Sequence, residues 1–103
     1  MFCVVYRFPV SADKEGQFKI GWSNLTKILK AENGALGSRL HRNHDGDWIA
    51  YAQWPDEKTW ESSDNNSAEA VKYRQMVRDS FIEGRSVEVL YKLNVVEDLL
   101  ERI

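Results

Sequence analysis

Two short runs of the sequence are apolar on both of the faces that a β-strand presents, and they constrain the fold more than any other feature. The first run, Phe2–Phe8, is apolar or aromatic except for Arg7, and Pro9 closes it. The second run, Trp48–Trp54, carries apolar residues on both faces, and Pro55 closes it. Because successive side chains of a strand point to opposite faces, each of these strands needs cover on two sides. The chain must therefore build a sheet that leaves neither face in water.

A chain of 103 residues suits a single domain, because it supports one hydrophobic core and is too short for two. We therefore expect one domain over residues 1–103. The 14 Lys and Arg residues and 16 Asp and Glu residues give a net charge of −2. This balance favours neither nucleic acid nor an anionic membrane as a partner.

The single cysteine, Cys3, excludes an internal disulfide and is typical of a reducing compartment. The first residues contain no basic segment followed by a long apolar stretch, so no signal peptide is predicted. No apolar run approaches the ~20 residues that a membrane-spanning helix needs. We expect a cytoplasmic protein.

Two segments have the periodicity of amphipathic helices. The first begins near Ser11, a residue suited to cap a helix, and ends at Asn33 and Gly34. Its apolar stripe consists of Phe18, Trp22, Leu25 and Leu29, with Ile20 and Ile28 beside it. The second begins at the capping residue Ser67 and ends at Gly84. Its stripe consists of Ala70, Tyr73, Val77 and Phe81.

The remaining segments complete a β-α-β-β-α-β order. Residues 35–42 and Trp48–Trp54 predict a hairpin, because only a short polar turn separates them. Asp56 is suited to cap a short helical turn that carries Trp60. Residues 87–96 predict the last strand, and residues 97–103 a final helical turn or two. The order predicts a ferredoxin-like α+β fold, in which both long helices cover one face of a four-stranded antiparallel sheet.

Helices that cover one face of this sheet leave its other apolar face exposed. Exposed apolar patches of that size usually mark an interface. We therefore expect a homodimer in which two copies pack sheet against sheet. The alternative is that the C-terminal segment, residues 95–103, folds back over the open face.

Three stretches resemble one protein family. The sequences VVYRF, GALGSRLHR and WIAYAQWPDEKTWE are similar to those of antibiotic biosynthesis monooxygenase domains, which belong to the dimeric α/β-barrel superfamily. The resemblance extends from Phe2 to about Leu93 in the same order of elements. It implies a dimeric α/β barrel. The family includes cofactor-independent oxygenases of polycyclic phenols or quinols, haem-degrading enzymes and small proteins without an assigned activity.

The haem-degrading branch of the family is identified by three residues that this chain lacks. Its members use an Asn on the first strand, a Trp after the helical turn that follows the third strand, and an iron-ligating His on the last long helix. The corresponding residues here are Tyr6, Ser63 and Tyr73. The resemblance therefore does not favour haem degradation.

The oxygenase branch implies a monooxygenase that acts without metal or cofactor on a small aromatic, phenolic or quinol substrate. Such chemistry needs an apolar pocket, groups that hold or deprotonate a hydroxyl, and exclusion of water. The candidate catalytic residues are His41, Tyr73 and Arg78, and the candidate substrate-binding residues are Tyr6, Tyr51, Trp54 and Trp60. The alternative is a non-catalytic dimeric protein that binds a small apolar ligand or acts as an assembly module.

Each candidate also has a purely structural interpretation. His41 lies in a polar stretch beside a turn, which favours a solvent-facing strand residue over a catalytic base. Arg78 fits the solvated side of its helix, and the aromatic residues fit the core or an interface. The group His41, His44, Asp45 and Asp47 matches no zinc-binding spacing, so no metal site is predicted.

Overall fold

The computed structural model describes residues 1–101, which form a four-stranded antiparallel sheet with helices on one face. The strands are β1 (Phe2–Phe8), β2 (Gly37–Arg42), β3 (Trp48–Trp54) and β4 (Glu88–Asn94). The helices are α1 (Glu15–Glu32), α2 (Glu57–Glu61) and α3 (Ala68–Asp79). The strands lie side by side in the order β2-β3-β1-β4. This confirms the ferredoxin-like α+β fold predicted from the order of elements.

The register of β1 on β3 determines which side chains face the helices. Phe2 lies opposite Trp54, and Phe8 lies opposite Trp48. Residues that lie opposite each other share a face, so the helix face carries Phe2, Val4, Tyr6 and Phe8 from β1 with Trp48, Ala50, Ala52 and Trp54 from β3. Phe18 of α1 joins this face to the helices, with ring centroids 5.0 Å from Phe8 and 5.5 Å from Trp48.

Helices α1 and α3 approach each other closely at Gly21. A Cβ atom at this position would lie 3.0 Å from the Tyr73 carbonyl oxygen and 3.0 Å from Cγ2 of Val77. Glycine therefore allows a backbone approach that any larger residue would oppose. Ile20 was expected beside the apolar stripe of α1 but is 54% exposed. It lies two residues from both Phe18 and Trp22, which turns it about 200° around the helix from each of them.

The predicted caps are confirmed at α2 and α3 but not at α1. The Asp56 carboxylate accepts a hydrogen bond from the Thr59 amide at 2.7 Å, and the Ser67 hydroxyl accepts one from the Ala70 amide at 3.2 Å. Ser11 instead precedes a 3-10 turn over Ala12–Lys14 and directs its hydroxyl to the Asp13 carboxylate. Helix α1 consequently begins at Glu15, four residues beyond the predicted cap.

The end of α3 comes earlier than the predicted end at Gly84. Helix α3 ends at Asp79 because the following residues bond to the segment after β1: the Ser11 amide donates to the Ser80 carbonyl at 2.8 Å, and the Ile82 amide to the Pro9 carbonyl at 2.8 Å. These bonds hold the start of the connection between α3 and β4 against the end of β1.

The predicted C-terminal helix is absent from the described chain. Residues 95–101 contain no helix, and residues 102 and 103 lie outside the described residues. Val96 is 97% exposed and Leu99 is 83% exposed, so this segment lacks the packing that stabilises a short helix.

The second face of the sheet carries apolar residues that no helix covers. Cys3 and Val5 of β1 point to this open face, together with Tyr51 of β3 and Leu93 of β4. Leu93 is 45% exposed. In the C-terminal segment, residues 95–101, Val96, Leu99 and Leu100 are exposed, whereas Val95 is half-buried. Leu100 lies beside Tyr51 and Gln53 at a shallow surface pocket, so the segment borders part of this face. Tyr91 and Leu93 stay exposed on it. Within residues 1–101, none of the helices has the length and apolar character needed to cross a membrane.

Candidate active site

A cavity of about 590 Å³ lies between the helix face of the sheet and the helices. The sheet contributes Tyr6, Phe8, Ala52 and Trp54; α1 contributes Trp22, Leu25, Thr26 and Leu29. The start of β2 and the residues before it add Ala35, Gly37 and Ser38, and the rest of the wall comes from α3 and the loop that follows it, at residues 74–87. Most of the lining is apolar, and the volume is in the range that accommodates a small organic ligand.

Tyr6 presents a phenol to this cavity. Its oxygen accepts a hydrogen bond of 2.8 Å from the indole N–H of Trp60, which lies on α2. Burial raises the pKa of Tyr6, and the hydrogen bond from Trp60 lowers it to a lesser degree. Tyr6 is therefore a neutral phenol at physiological pH. The Tyr6 oxygen acts as the acceptor in its hydrogen bond with Trp60. The hydroxyl proton of Tyr6 therefore remains available for donation to a ligand oxygen.

Trp54 adds a second donor to the wall of the cavity. Its side chain is almost completely buried, at 3% exposure. Its indole N–H is also buried and has no hydrogen-bond partner within residues 1–101. A buried donor without an acceptor costs about 1–3 kcal/mol. The residues that line the cavity thus include an indole N–H for which residues 1–101 provide no hydrogen-bond acceptor.

Three arginines line the side of the cavity formed by α3 and the following loop. Arg74 and Arg78 are four residues apart and lie on one face of α3, whereas Arg85 belongs to the loop. Arg74 donates to the Asn65 carbonyl at 3.1 Å. Within residues 1–101, the guanidinium groups of Arg78 and Arg85 form neither hydrogen bonds nor ion pairs. No described residue of the lining is acidic, so this side of the cavity is electropositive.

The cavity contains three of the seven residues predicted as a site. Tyr6, Trp54 and Arg78 line it, although they come from β1, β3 and α3. Trp60 stands beside the lining, where it orients the Tyr6 hydroxyl. This cluster has the composition of a site that binds an aromatic ligand and directs donors at its oxygen atoms.

The structure does not bring His41 into this cavity. His41 lies opposite Ile49 on the open face of the sheet, because strand alternation directs Leu40 and Arg42 to the helix face instead. Its side chain is exposed, and Nδ1 is 3.2 Å from the Ile49 carbonyl oxygen. The solvent-facing interpretation therefore describes its position, and His41 is not available as a base for a ligand in the cavity.

Tyr51 and Tyr73 also lie outside the cavity. Tyr51 points to the open face, where its hydroxyl oxygen is 2.9 Å from the Cys3 sulfur. Tyr73 lies where α3 packs on α1, with its carbonyl oxygen facing Gly21 and the Lys72 ammonium 5.3 Å from its ring centroid. Strand alternation alone places Tyr51 on the face opposite to that of Trp54. The position of Tyr73 depends on the rotation of α3, which the sequence pattern did not determine.

Several residues that line the cavity were not identified as candidates from the sequence. Trp22, Leu25 and Leu29 were interpreted as a core stripe, but they form the α1 wall of the cavity. Arg74 had a usable signal in its spacing of four from Arg78. Arg85 had none, because only the loop connection brings it to the cavity. Within residues 1–101, no three His, Cys, Asp or Glu side chains form a group that could hold a metal ion.

The fold is similar to that of several solved structures. Rv0793 of Mycobacterium tuberculosis shares 18% sequence identity at a TM-score of 0.71, over 96% of this chain and 98% of that chain. SnoaB of Streptomyces nogalater, a cofactor-independent oxygenase, shares 16% identity at a TM-score of 0.72, over 97% of both chains. A Caulobacter crescentus protein that has been assigned as an antibiotic biosynthesis monooxygenase shares 16% identity at a TM-score of 0.74, over 93% of this chain and 90% of that chain. At such low identities the likeness extends to the fold alone.

Sequence comparison identifies the family. No curated protein matches the chain significantly. The family model for antibiotic biosynthesis monooxygenase matches residues 1–74, which include Tyr6, Trp54 and Trp60 and exclude Arg78 and Arg85. Because this match covers well over half of the sequence and agrees with the fold, the chain belongs to the antibiotic biosynthesis monooxygenase family.

Proposed function

We propose that this protein is a cofactor-independent monooxygenase that oxidises a small aromatic phenol or quinol bound in the cavity. Membership of the family supports the reaction class. The observation that carries the assignment is the half-buried phenol of Tyr6, which Trp60 orients and which faces a largely apolar space of about 590 Å³. Such a space accommodates an aromatic substrate, which displaces water from the apolar part of the cavity around Tyr6.

The reaction begins when the bound substrate loses a proton and becomes an electron-rich anion. The Tyr6 hydroxyl donates a hydrogen bond to the resulting oxyanion and stabilises it, because a fixed donor acts more strongly in an apolar site than in water. The anionic carbon, which still carries one hydrogen, then reduces dioxygen and forms a C–O bond with it, and a proton from solvent completes the hydroperoxide. Loss of water converts the hydroperoxide to a carbonyl. One oxygen atom enters the product and the other leaves as water, while the substrate supplies all four electrons.

The substrate proton leaves to solvent in this proposal. The described lining of the cavity contains no His, Asp, Glu or Lys that would serve as a general base. Arg78 and Arg85 are exposed, so the cavity opens to water on their side. Tyr6 therefore acts by stabilising the ionised substrate, and Trp60 acts as a positioning residue for Tyr6.

We further propose that the working unit is a homodimer formed through the open face of the sheet, in the cytoplasm. Leu93 and Tyr91 are 45% and 62% exposed on that face, which is consistent with cover by a second copy. The buried, free thiol of Cys3 is consistent with a reducing compartment.

A second function is favoured by the absence of a general base from the described lining. The protein would then bind a small aromatic ligand without converting it. This alternative predicts saturable binding in the same cavity and no consumption of dioxygen.

The test is to measure dioxygen consumption with a panel of anthrones, quinols and naphthols, and to follow the label from ¹⁸O₂ into the products. We expect one dioxygen consumed per substrate and one labelled oxygen in each product. Tyr6→Phe should lower kcat about 100-fold, the effect typical of removing a donor to an oxyanion. The matched variant Phe8→Tyr tests whether any phenol in the lining suffices, and it should not restore activity to Tyr6→Phe.

His41→Ala distinguishes a site in which His41 is the general base from the proposed site in the cavity, which excludes His41. A base at His41 requires that this variant lose activity, whereas the cavity assignment requires that it keep the wild-type rate. Tight ligand binding without dioxygen consumption across the panel would favour the binding function. Full activity of Tyr6→Phe would contradict the proposed role of the cavity.

A further inference from the structure

We propose that Arg78 and Arg85 make this cavity selective for aromatic ligands that carry a carboxylate. The inference rests on the proposed function for the location of the site and adds the chemical class of its substrate. It concerns a part of the cavity that is separate from Tyr6, on the side formed by α3 and the following loop.

The first observation is the charge of the lining. Three guanidinium groups border a cavity whose described lining includes no carboxylate, although the whole chain has a net charge of −2. Unbalanced like charges around one concave site repel each other and raise the local concentration of anions. An anionic ligand relieves this repulsion.

The second observation is how the three arginines are engaged. Arg74 is tied by its hydrogen bond of 3.1 Å to the Asn65 carbonyl. The guanidinium groups of Arg78 and Arg85 are not engaged within residues 1–101, so their donors remain available. The ion pairs found within residues 1–101 join Arg7 to Asp47, Arg42 to Glu15 and Lys92 to Glu57.

The third observation is that the backbone holds Arg85 beside the cavity. The Ile82 amide donates to the Pro9 carbonyl at 2.8 Å, and the Arg85 amide donates to the Ile82 carbonyl at 3.0 Å. Gly84 completes this turn with a φ of 80°, a conformation that favours glycine. Arg78 reaches the same cavity from the last turn of α3, so the two guanidinium groups approach it from separate segments.

A carboxylate is the anion that fits these groups. The planar guanidinium forms paired hydrogen bonds with the two oxygens of a carboxylate. A phenol, by contrast, is mostly uncharged at neutral pH and offers one oxygen, which the Tyr6 hydroxyl serves. The ligand would therefore carry two polar groups on an aromatic frame: a hydroxyl at Tyr6 and a carboxylate at Arg78 and Arg85.

The test compares the affinities of a hydroxynaphthoate and the corresponding hydroxynaphthamide for the intact protein by fluorescence titration. The two ligands have nearly the same size and the same hydroxyl, and they differ in the charge of one group. At low salt we expect the carboxylate to bind about tenfold more tightly than the amide. High salt should reduce this advantage, because Arg78 and Arg85 are exposed and subject to screening.

The double variant Arg78→Gln/Arg85→Gln should remove the advantage of the carboxylate and leave the affinity for the amide unchanged. Lys19→Gln/Lys27→Gln is the matched control, because it removes the same charge from exposed positions of α1 outside the cavity lining. That control should retain the advantage. Thermal unfolding checks that both double variants are folded, and the single variants replace the double one if it is not.

Equal affinities of the wild type for the two ligands would overturn the inference, as would an advantage that survives in Arg78→Gln/Arg85→Gln. Equal weakening of both ligands by that variant would assign the arginines to the phenolic oxygen and also overturn it. These results are independent of turnover. An inactive protein that still discriminates the two ligands would refute the monooxygenase alone, and an active protein without discrimination would refute the carboxylate selectivity alone.

Discussion

At the scale of single residues, the hydrogen bond from Trp60 determines how the Tyr6 hydroxyl is oriented at the cavity wall. The indole N–H supplies a donor to the Tyr6 oxygen, which leaves the hydroxyl proton directed elsewhere. Burial raises the pKa of Tyr6 and so preserves that proton. A tyrosine in this state stabilises an oxyanion but does not act as a base at neutral pH. This distinction gives the site its proposed role.

The raised pKa of Tyr6 predicts a loss of stability in alkaline solution. In the unfolded chain the phenol titrates near its ordinary pKa of about 10, whereas the folded protein holds the proton to a higher pH. The folded state therefore binds more protons above about pH 10, and the free energy of unfolding falls as pH rises. In Tyr6→Phe, the free energy of unfolding should fall less steeply with pH, and the difference in slope should be at most about 1.4 kcal/mol per pH unit. Urea unfolding from about pH 8 to about pH 11 measures it.

Comparison of the same two proteins at neutral pH isolates the lost hydrogen bond, which should cost Tyr6→Phe about 1 kcal/mol there. If the free energies of unfolding of wild type and Tyr6→Phe changed in parallel throughout the alkaline range, burial would not raise the pKa of Tyr6.

At the scale of secondary-structure elements, the separation of α1 and α3 frames the cavity. The two helices contact each other at Gly21, where a Cβ atom would lie 3.1 Å from the Met76 Cβ as well as close to Tyr73 and Val77. Packing at this one position sets how near α3 lies to α1, and α3 carries Arg74 and Arg78 on its cavity side. The glycine thus positions part of the site without contacting a ligand.

Gly21→Ala should destabilise the protein by about 1–2 kcal/mol, because the added methyl group overpacks the contact between the helices. Gly16→Ala is the matched control: Gly16 is in the same helix, and an added Cβ meets nothing within 4 Å. The control should stabilise by about 0.5 kcal/mol, since alanine favours a helix over glycine. Thermal unfolding of both variants gives the comparison. Equal effects of the two substitutions would contradict a close contact at Gly21.

At the scale of the whole molecule, the sheet has one face under helices and another without them. Tyr91 and Leu93 on β4 remain accessible, as do Leu99 and Leu100 in the C-terminal segment. The resulting apolar surface is the physical basis for the proposed homodimer. Because the cavity lies on the opposite side of the sheet, association would leave its opening on α3 free.

Sedimentation at micromolar concentration should give twice the chain mass of 12.0 kDa. Leu93→Glu should reduce the mass to that of one chain, because a carboxylate in an apolar interface loses its hydration without a partner. Val71→Glu is the control, since Val71 is similarly exposed, at 49%, but lies on α3. A monomeric wild type, or a Leu93→Glu protein that remains dimeric, would contradict association through this face.

Three features of the fold were predictable from the sequence alone. They are the limits of β1 and β3, the helix caps at Asp56 and Ser67, and the order of elements. Each depends on residues close together in the chain: a proline that ends a strand, a side chain that bonds an amide three residues away, or a recurrent apolar position. Local patterns of this kind survive almost any tertiary arrangement, so the fold class followed from them.

The composition of the site depended on the tertiary structure. Tyr6, Trp54, Arg78 and Arg85 come from four separate segments, and their convergence requires a particular strand register and helix rotation. The same register carried His41 to the opposite face, although its chemistry made it the natural candidate for a base. Sequence by itself determined which elements form and in what order. Which side chains meet was decided only by packing, because burial and close contact act between residues that the chain holds far apart.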